Sequence, residues 1–77
     1  MKDIVWTNIM LKEFRSLVPL SDEEDAVLND WALNRSVVEI AFNRHMSERT
    51  VNNLKASIRV KYDAVQIFTP LLPERIR

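Results

Sequence analysis

Two Ser-x-x-Glu segments constrain the fold of this chain more than any other feature. Ser21 with Glu24 and Ser36 with Glu39 each match a capping box, in which the two side chains satisfy free backbone N–H groups at a helix start. Apolar residues at helical spacing follow both segments. Ser47 provides a third N-cap further along the chain. These starts predict an all-α fold in which short helices follow one another closely.

The predicted architecture is one compact four-helix domain over residues 1–77, because a chain of this length supports only one core. An N-terminal helix is predicted over 3–17, a scaffold helix over 21–34, and a helix-turn-helix over 36–66 whose second helix starts at 48. Residues 67–77 are predicted to form an extended tail that contains proline. The chain has no glycine, so we expect His45 to adopt the left-handed conformation in the turn.

Large apolar side chains share one face of the predicted N-terminal helix. They recur at spacings of four, four and three residues and are Trp6, Met10, Phe14 and Leu17. Ile9 widens that face, and Asp3 is the predicted N-cap. The tail contributes a further apolar set, namely Phe68, Leu71 and Leu72. We expect both sets to complete the core of the same molecule, and a homodimer formed through leftover apolar surface is left open.

Composition excludes several classes of function. Without cysteine, and with His45 as the single histidine, the chain has no candidate metal centre or nucleophilic site. The absence of glycine excludes the common phosphate-binding loops. We therefore predict no enzymatic activity and no cofactor. No apolar run reaches the length of a membrane span and no secretory signal is recognisable, so we expect a cytoplasmic protein without a membrane partner.

The zero net charge conceals an uneven distribution. Residues 1–33 carry a net charge of −4, whereas residues 34–61 carry +4. A chain divided in this way is expected to have one acidic face and one basic face. On charge alone, this division indicates a nucleic-acid partner no more strongly than it indicates two solvated helix surfaces.

The pattern over 36–62 has the features of a helix-turn-helix. Ala41 is small where the two helices cross, and the second helix carries an apolar stripe at Val51, Leu54, Ile58 and Tyr62. Residues 36–41 and 46–51 resemble the helix-turn-helix of LuxR-type response regulators and of sigma-factor region four, and residues 20–28 resemble the scaffold helix that precedes it there. The resemblance covers about residues 20–62 and implies a DNA-binding domain that acts in transcription.

Two positions depart from the pattern of these families. The glycine usual in the turn is replaced by His45, and the apolar residue before it is replaced by Arg44. We expect the stem of Arg44 to cover the core while its guanidinium reaches solvent or a phosphate.

In such a unit, the second helix places its N-terminal half in the major groove. The predicted base contacts are Ser47, Glu48, Arg49, Asn52 and Asn53. Arginine pairs well with guanine and asparagine with adenine. The predicted phosphate contacts are Arg35, Arg44, Thr50, Lys55, Arg59 and Lys61. If about four phosphates are contacted, log affinity should fall with log salt at a slope near −4.

Double-stranded DNA is thus the predicted partner, and two alternatives share the same fold. In the first, the protein is an interaction module that contacts RNA polymerase or another regulator, which the acidic scaffold helix favours. In the second, it is an accessory protein of DNA packaging or recombination, which need not recognise a specific sequence.

Overall fold

Each α-helix that the structure describes begins directly after a serine or threonine whose side chain caps its first turn. The computed structural model describes residues 4–73. The helices are α1 (Asn8–Leu17), α2 (Asp22–Ala32), α3 (Val37–Arg44) and α4 (Glu48–Val65), and one 3-10 turn (Gln66–Phe68) follows. Their N-caps are Thr7, Ser21, Ser36 and Ser47. The prediction of an all-α fold of four helices is confirmed, and both predicted capping boxes are formed.

The start of α1 differs from the prediction. The helix begins at Asn8, because the Thr7 hydroxyl accepts a hydrogen bond from the Met10 N–H at 3.2 Å. The predicted cap, Asp3, lies outside the described residues. Ahead of the helix, Ile4 and Trp6 are buried and Val5 between them is exposed, as in an extended segment with one side on the core.

The N-terminal segment completes the core as predicted, with two exceptions. Met10 and Phe14 are buried, but Ile9 is 64% exposed and Leu17 is also exposed, so the predictions for these two residues were wrong. The buried face of α1 is narrower than predicted, because the helix starts at Asn8 and Trp6 reaches the core from the segment before the helix.

Trp6 is the centre of an aromatic cluster that joins three helices. Its ring lies 5.2 Å from Phe14 of α1, 5.7 Å from Trp31 of α2 and 5.5 Å from Tyr62 of α4, measured between ring centroids. The contacts with Trp31 and Tyr62 are edge-to-face, a favourable arrangement of aromatic rings. The segment before α1 therefore fixes α1 and α2 against the end of α4.

The chain beyond α4 folds back over the core. Leu72 is almost fully buried, and the Tyr62 hydroxyl donates a hydrogen bond to the Pro73 carbonyl. Phe68 and Leu71 are exposed, so only one residue of the predicted apolar set enters the core.

A turn of three residues, 45–47, joins α3 to α4. His45 has a left-handed backbone conformation (φ 55°, ψ 43°), as predicted. The Met46 N–H donates a hydrogen bond to the Ala41 carbonyl at 2.9 Å and so ends α3. Ile40, Ala41 and Val51 are buried between the two helices, with Leu54 half-buried beside them. None of the helices in the part of the chain described is both long and apolar enough to cross a membrane.

The left-handed turn leads to a stability prediction. Replacing His45 with glycine should raise the free energy of unfolding by about 0.5–1 kcal/mol, because glycine has no Cβ to crowd the backbone at positive φ. Urea denaturation measures the change. Asn34→Gly is the matched control, since Asn34 has φ 62° but asparagine tolerates this region better, and its gain should be smaller. A loss of stability in His45→Gly would contradict this account of the turn.

Candidate nucleic-acid interface

The first half of α4 presents a row of polar side chains to solvent. All five predicted base-contact residues are exposed: Ser47, Glu48, Arg49, Asn52 and Asn53. The opposite side of the same turns is buried, with Val51 and Ile58 in the core. Within residues 4–73, the side chains of Arg49, Asn52 and Asn53 make no hydrogen bond or ion pair. Their donors and acceptors are therefore available to a ligand.

Two hydroxyls close the start of α4. Ser47 Oγ accepts a hydrogen bond from the Thr50 N–H at 3.0 Å and lies 2.9 Å from the Thr50 hydroxyl. Thr50, a predicted phosphate contact, has a half-buried side chain that contacts this cap. The pair holds the helix start in a fixed conformation beneath the exposed row.

A buried carboxylate, Asp30 of α2, binds two arginines, Arg35 just before α3 and Arg44 at its last position. Arg44 donates from Nε to Oδ2 at 2.9 Å and from Nη2 to Oδ1 at 3.0 Å, and Arg35 donates from Nη1 to Oδ1 at 2.8 Å. The hydrogen bonds from Arg44 outweigh burial and lower the pKa of Asp30, and the same contact raises the pKa of Arg44. The guanidinium of Arg44, expected to point to solvent or a phosphate, instead ties the end of α3 to α2.

A second carboxylate of α2, Glu24, binds α4. Lys61 Nζ lies 2.7 and 2.9 Å from its two oxygens, the Ser57 hydroxyl donates to it at 2.8 Å, and the Ser21 N–H donates at 3.1 Å. Burial alone would raise the pKa of Glu24. The hydrogen bonds, of which the one from Lys61 has the largest effect, instead hold the pKa at about 2. The acidic helix α2 thus anchors both helices of the predicted motif.

Two further cations of α4 lie against an aromatic ring. Lys55 Nζ is 4.4 Å and the Arg59 guanidinium carbon 5.0 Å from the Trp31 ring centroid. Such cation–π contacts are favourable, and the stems of the two side chains cover the indole. Trp31 is therefore a core residue, and Lys55 is buried on it.

The side chains predicted to contact phosphates thus have partners within the protein. Arg35, Arg44 and Lys61 pair with carboxylates, Lys55 and Arg59 stack on Trp31, and Thr50 contacts Ser47. The side chains of Arg35, Arg44 and Lys61 remain more than one third exposed. The outer N–H groups of Arg35 and Arg44 can still reach an anion, whereas Lys61 Nζ also lies 3.4 Å from the Pro19 carbonyl in addition to its contacts with Glu24. The phosphate contacts of all three residues stay predictions.

Sequence reasoning missed the role of Asp30. It follows Val27 by three residues and precedes Trp31, both buried, so helical spacing places it on the buried face of α2. A carboxylate in that position needs a charged partner, which is the signal that was available. Within the described residues, no group of three or more acidic or histidine side chains is placed to hold a metal ion.

Comparisons with protein-family models, with curated proteins and with solved structures found no match to this chain. The likeness to LuxR-type regulators and to sigma-factor region four therefore rests on the quoted residues alone.

Proposed function

We propose that this protein is a DNA-binding transcriptional regulator of the cytoplasm that places the first half of α4 in the major groove. The observation that carries the proposal is the exposed set Arg49, Asn52 and Asn53, whose side chains have no partner among residues 4–73, at the start of a helix that follows a short turn. In helix-turn-helix proteins, this part of the second helix contacts base edges. Two neighbouring asparagines are also poor helix formers, so a ligand gives a reason for their presence on an exposed face.

Each exposed side chain has a role that its chemistry allows. Arg49 donates two hydrogen bonds to a guanine, and Asn52 or Asn53 pairs with an adenine. Glu48 accepts from a cytosine, and Ser47 keeps its hydroxyl at the helix start.

The ion pairs change the expected electrostatics. Asp30 neutralises one of its two arginines, and Glu24 neutralises Lys61. Arg49 and one net charge at Asp30 remain for phosphates. We therefore expect the slope of log affinity against log salt to be shallower than the value of about −4 expected from composition.

Arg49→Ala is expected to weaken binding to the preferred duplex between about fivefold and 150-fold, the range for loss of a specific base contact, and to relax sequence preference. Asn53→Ala should act in the same direction. Fluorescence anisotropy with labelled duplex at low salt measures both. The matched control is Arg15→Ala, which removes an equal charge from α1, where Arg15 pairs with Asp25 at 2.8 Å. Equal affinities for wild type, Arg49→Ala and Asn53→Ala would contradict the proposal.

One observation favours the interaction module as a second candidate. Val38 and Phe42 lie one turn apart on the outer face of α3, and Phe42 is 81% exposed. Exposed apolar side chains of this kind suit a protein partner such as a polymerase subunit. Loss of polymerase binding in Phe42→Ser, with no salt-dependent DNA binding by the wild type, would favour this candidate. Equal affinity for all duplexes would instead indicate a packaging or recombination accessory protein.

A further inference from the structure

A groove between α1 and the chain beyond α4 is distinct from the predicted DNA face. It has a volume of about 400 Å³, and its lining is formed by Ile9, Lys12, Glu13, Ser16 and Leu71. Ile9 and Leu71 are both exposed, so the apolar part of the groove faces solvent. Neither side chain contributes to the core, which leaves their apolar surface without an intramolecular role.

The charged lining of the groove is self-complementary. Within residues 4–73, the side chains of Lys12 and Glu13 have no ion-pair or hydrogen-bond partner. Adjacent residues of a helix do not face each other, so these two charges do not neutralise one another. In a twofold symmetric pair of molecules, Lys12 of each copy can meet Glu13 of the other, and the same contact then forms twice.

We propose that a second copy of this chain occupies the groove and forms a symmetric dimer through α1 and Leu71. Apolar contact between the Ile9 and Leu71 side chains forms its centre, and the two Lys12–Glu13 pairs set its register. An ordinary interface covers about 800 Å² on each partner, roughly one sixth of the 5204 Å² surface of this molecule. Five residues line the groove, whereas an ordinary interface has about 20–30 residues on each side, so the dimer is expected to be weak and to dissociate at low protein concentration.

The position of α1 keeps this interface away from the exposed row of α4. Phe14 packs 6.1 Å from Tyr62, measured between ring centroids, so α1 lies beside the far end of α4. Tyr62 follows Arg49 by thirteen residues, or about 20 Å along the helix axis. The dimer neither requires DNA binding nor blocks it, and it would present two copies of α4.

Sedimentation equilibrium of the full chain, from about 1 µM to about 1 mM without DNA, tests the proposal. The wild type should show a dimer fraction that rises with concentration. Ile9→Glu should raise the dimer dissociation constant at least about tenfold, because it places two unpaired carboxylates at the centre of the interface. Val60→Glu is the matched control: it changes an exposed apolar residue on α4, outside the groove lining, and should leave the dimer intact. Circular dichroism verifies that each variant is folded.

A charge swap distinguishes this dimer from unspecific association. Lys12→Glu and Glu13→Lys should each weaken the dimer, because each creates like charges across the interface, and the double variant should restore it. A wild type that stays monomeric throughout, which would leave the groove to another partner, overturns the proposal. A double variant that dimerises no more strongly than the two single variants also overturns the proposal. Because these experiments contain no DNA, their outcome is independent of the proposed function.

Discussion

Replacement of Asp30 by alanine is expected to lower the free energy of unfolding by about 2–3 kcal/mol. The change removes three charge-assisted hydrogen bonds from a carboxylate that is fully buried. Both guanidiniums remain partly hydrated, which keeps the loss below that of a fully buried ion pair. Urea denaturation followed by circular dichroism measures the change.

Asp25→Ala is the matched control for Asp30→Ala. Asp25 also lies on α2 and also pairs with one arginine, Arg15 at 2.8 Å, but its side chain is half exposed. Exposed ion pairs contribute at most about 1 kcal/mol, so the loss should be small. Similar small losses in both variants would contradict the anchoring role of Asp30. Asp30→Ala is also expected to reduce DNA affinity, because its partner Arg44 is the last residue of α3 before the turn that leads to α4.

Acid is expected to destabilise the protein as the pH falls from about 4.5 to about 2. Glu24 has a pKa of about 2 in the folded protein and an ordinary pKa of 4.5, so the folded state binds its proton less readily than the unfolded state. The stability that this provides is complete above pH 4.5 and is lost as the pH falls through 2. The lowered pKa of Asp30 acts in the same direction. Because Lys61 is partly exposed, we expect a loss of about 2 kcal/mol from Glu24.

The acid effect can be assigned to Glu24 by comparing two variants. Glu24→Gln should be less stable than wild type at neutral pH and should show a flatter stability profile between pH 4.5 and 2. Glu23→Gln removes an exposed carboxylate from the same turn, one without a side-chain partner among the described residues. Its profile should follow that of the wild type. A profile for Glu24→Gln as steep as that of the wild type would show that other groups cause the acid effect.

The helix boundaries were predictable where the residues that determine them lie next to them in the sequence. Ser21 and Ser36 with their glutamates lie within one turn of the helix start that they cap, and His45 is the residue at the turn that tolerates positive φ. The start of α1 was not predictable in this way, because Asp3 and Thr7 are both acceptable caps. With Thr7 as the cap, Trp6 lies outside the helix and packs against Phe14 and Tyr62. These contacts join residues far apart in the chain, so the local sequence does not reveal them.

The candidate site was predictable in its exposed row but not in its cations. The apolar stripe of α4 at Val51 and Ile58 defines its opposite face, so the exposure of Arg49, Asn52 and Asn53 follows from helical spacing. The partners of Arg44 and Lys61 lie 14 and 37 residues away, and spacing within one helix says nothing about them. Charge counted along the chain therefore overestimates the positive charge that is left unpaired within the protein.

Selection of bound sequences from a random duplex library, with wild type and with Arg49→Ala, shows whether the start of α4 contacts base edges of duplex DNA. We expect the wild type to recover a recurrent site and Arg49→Ala to lose preference at one guanine of that site. Recovered wild-type sequences with no shared site, or an identical site for both proteins, would contradict it.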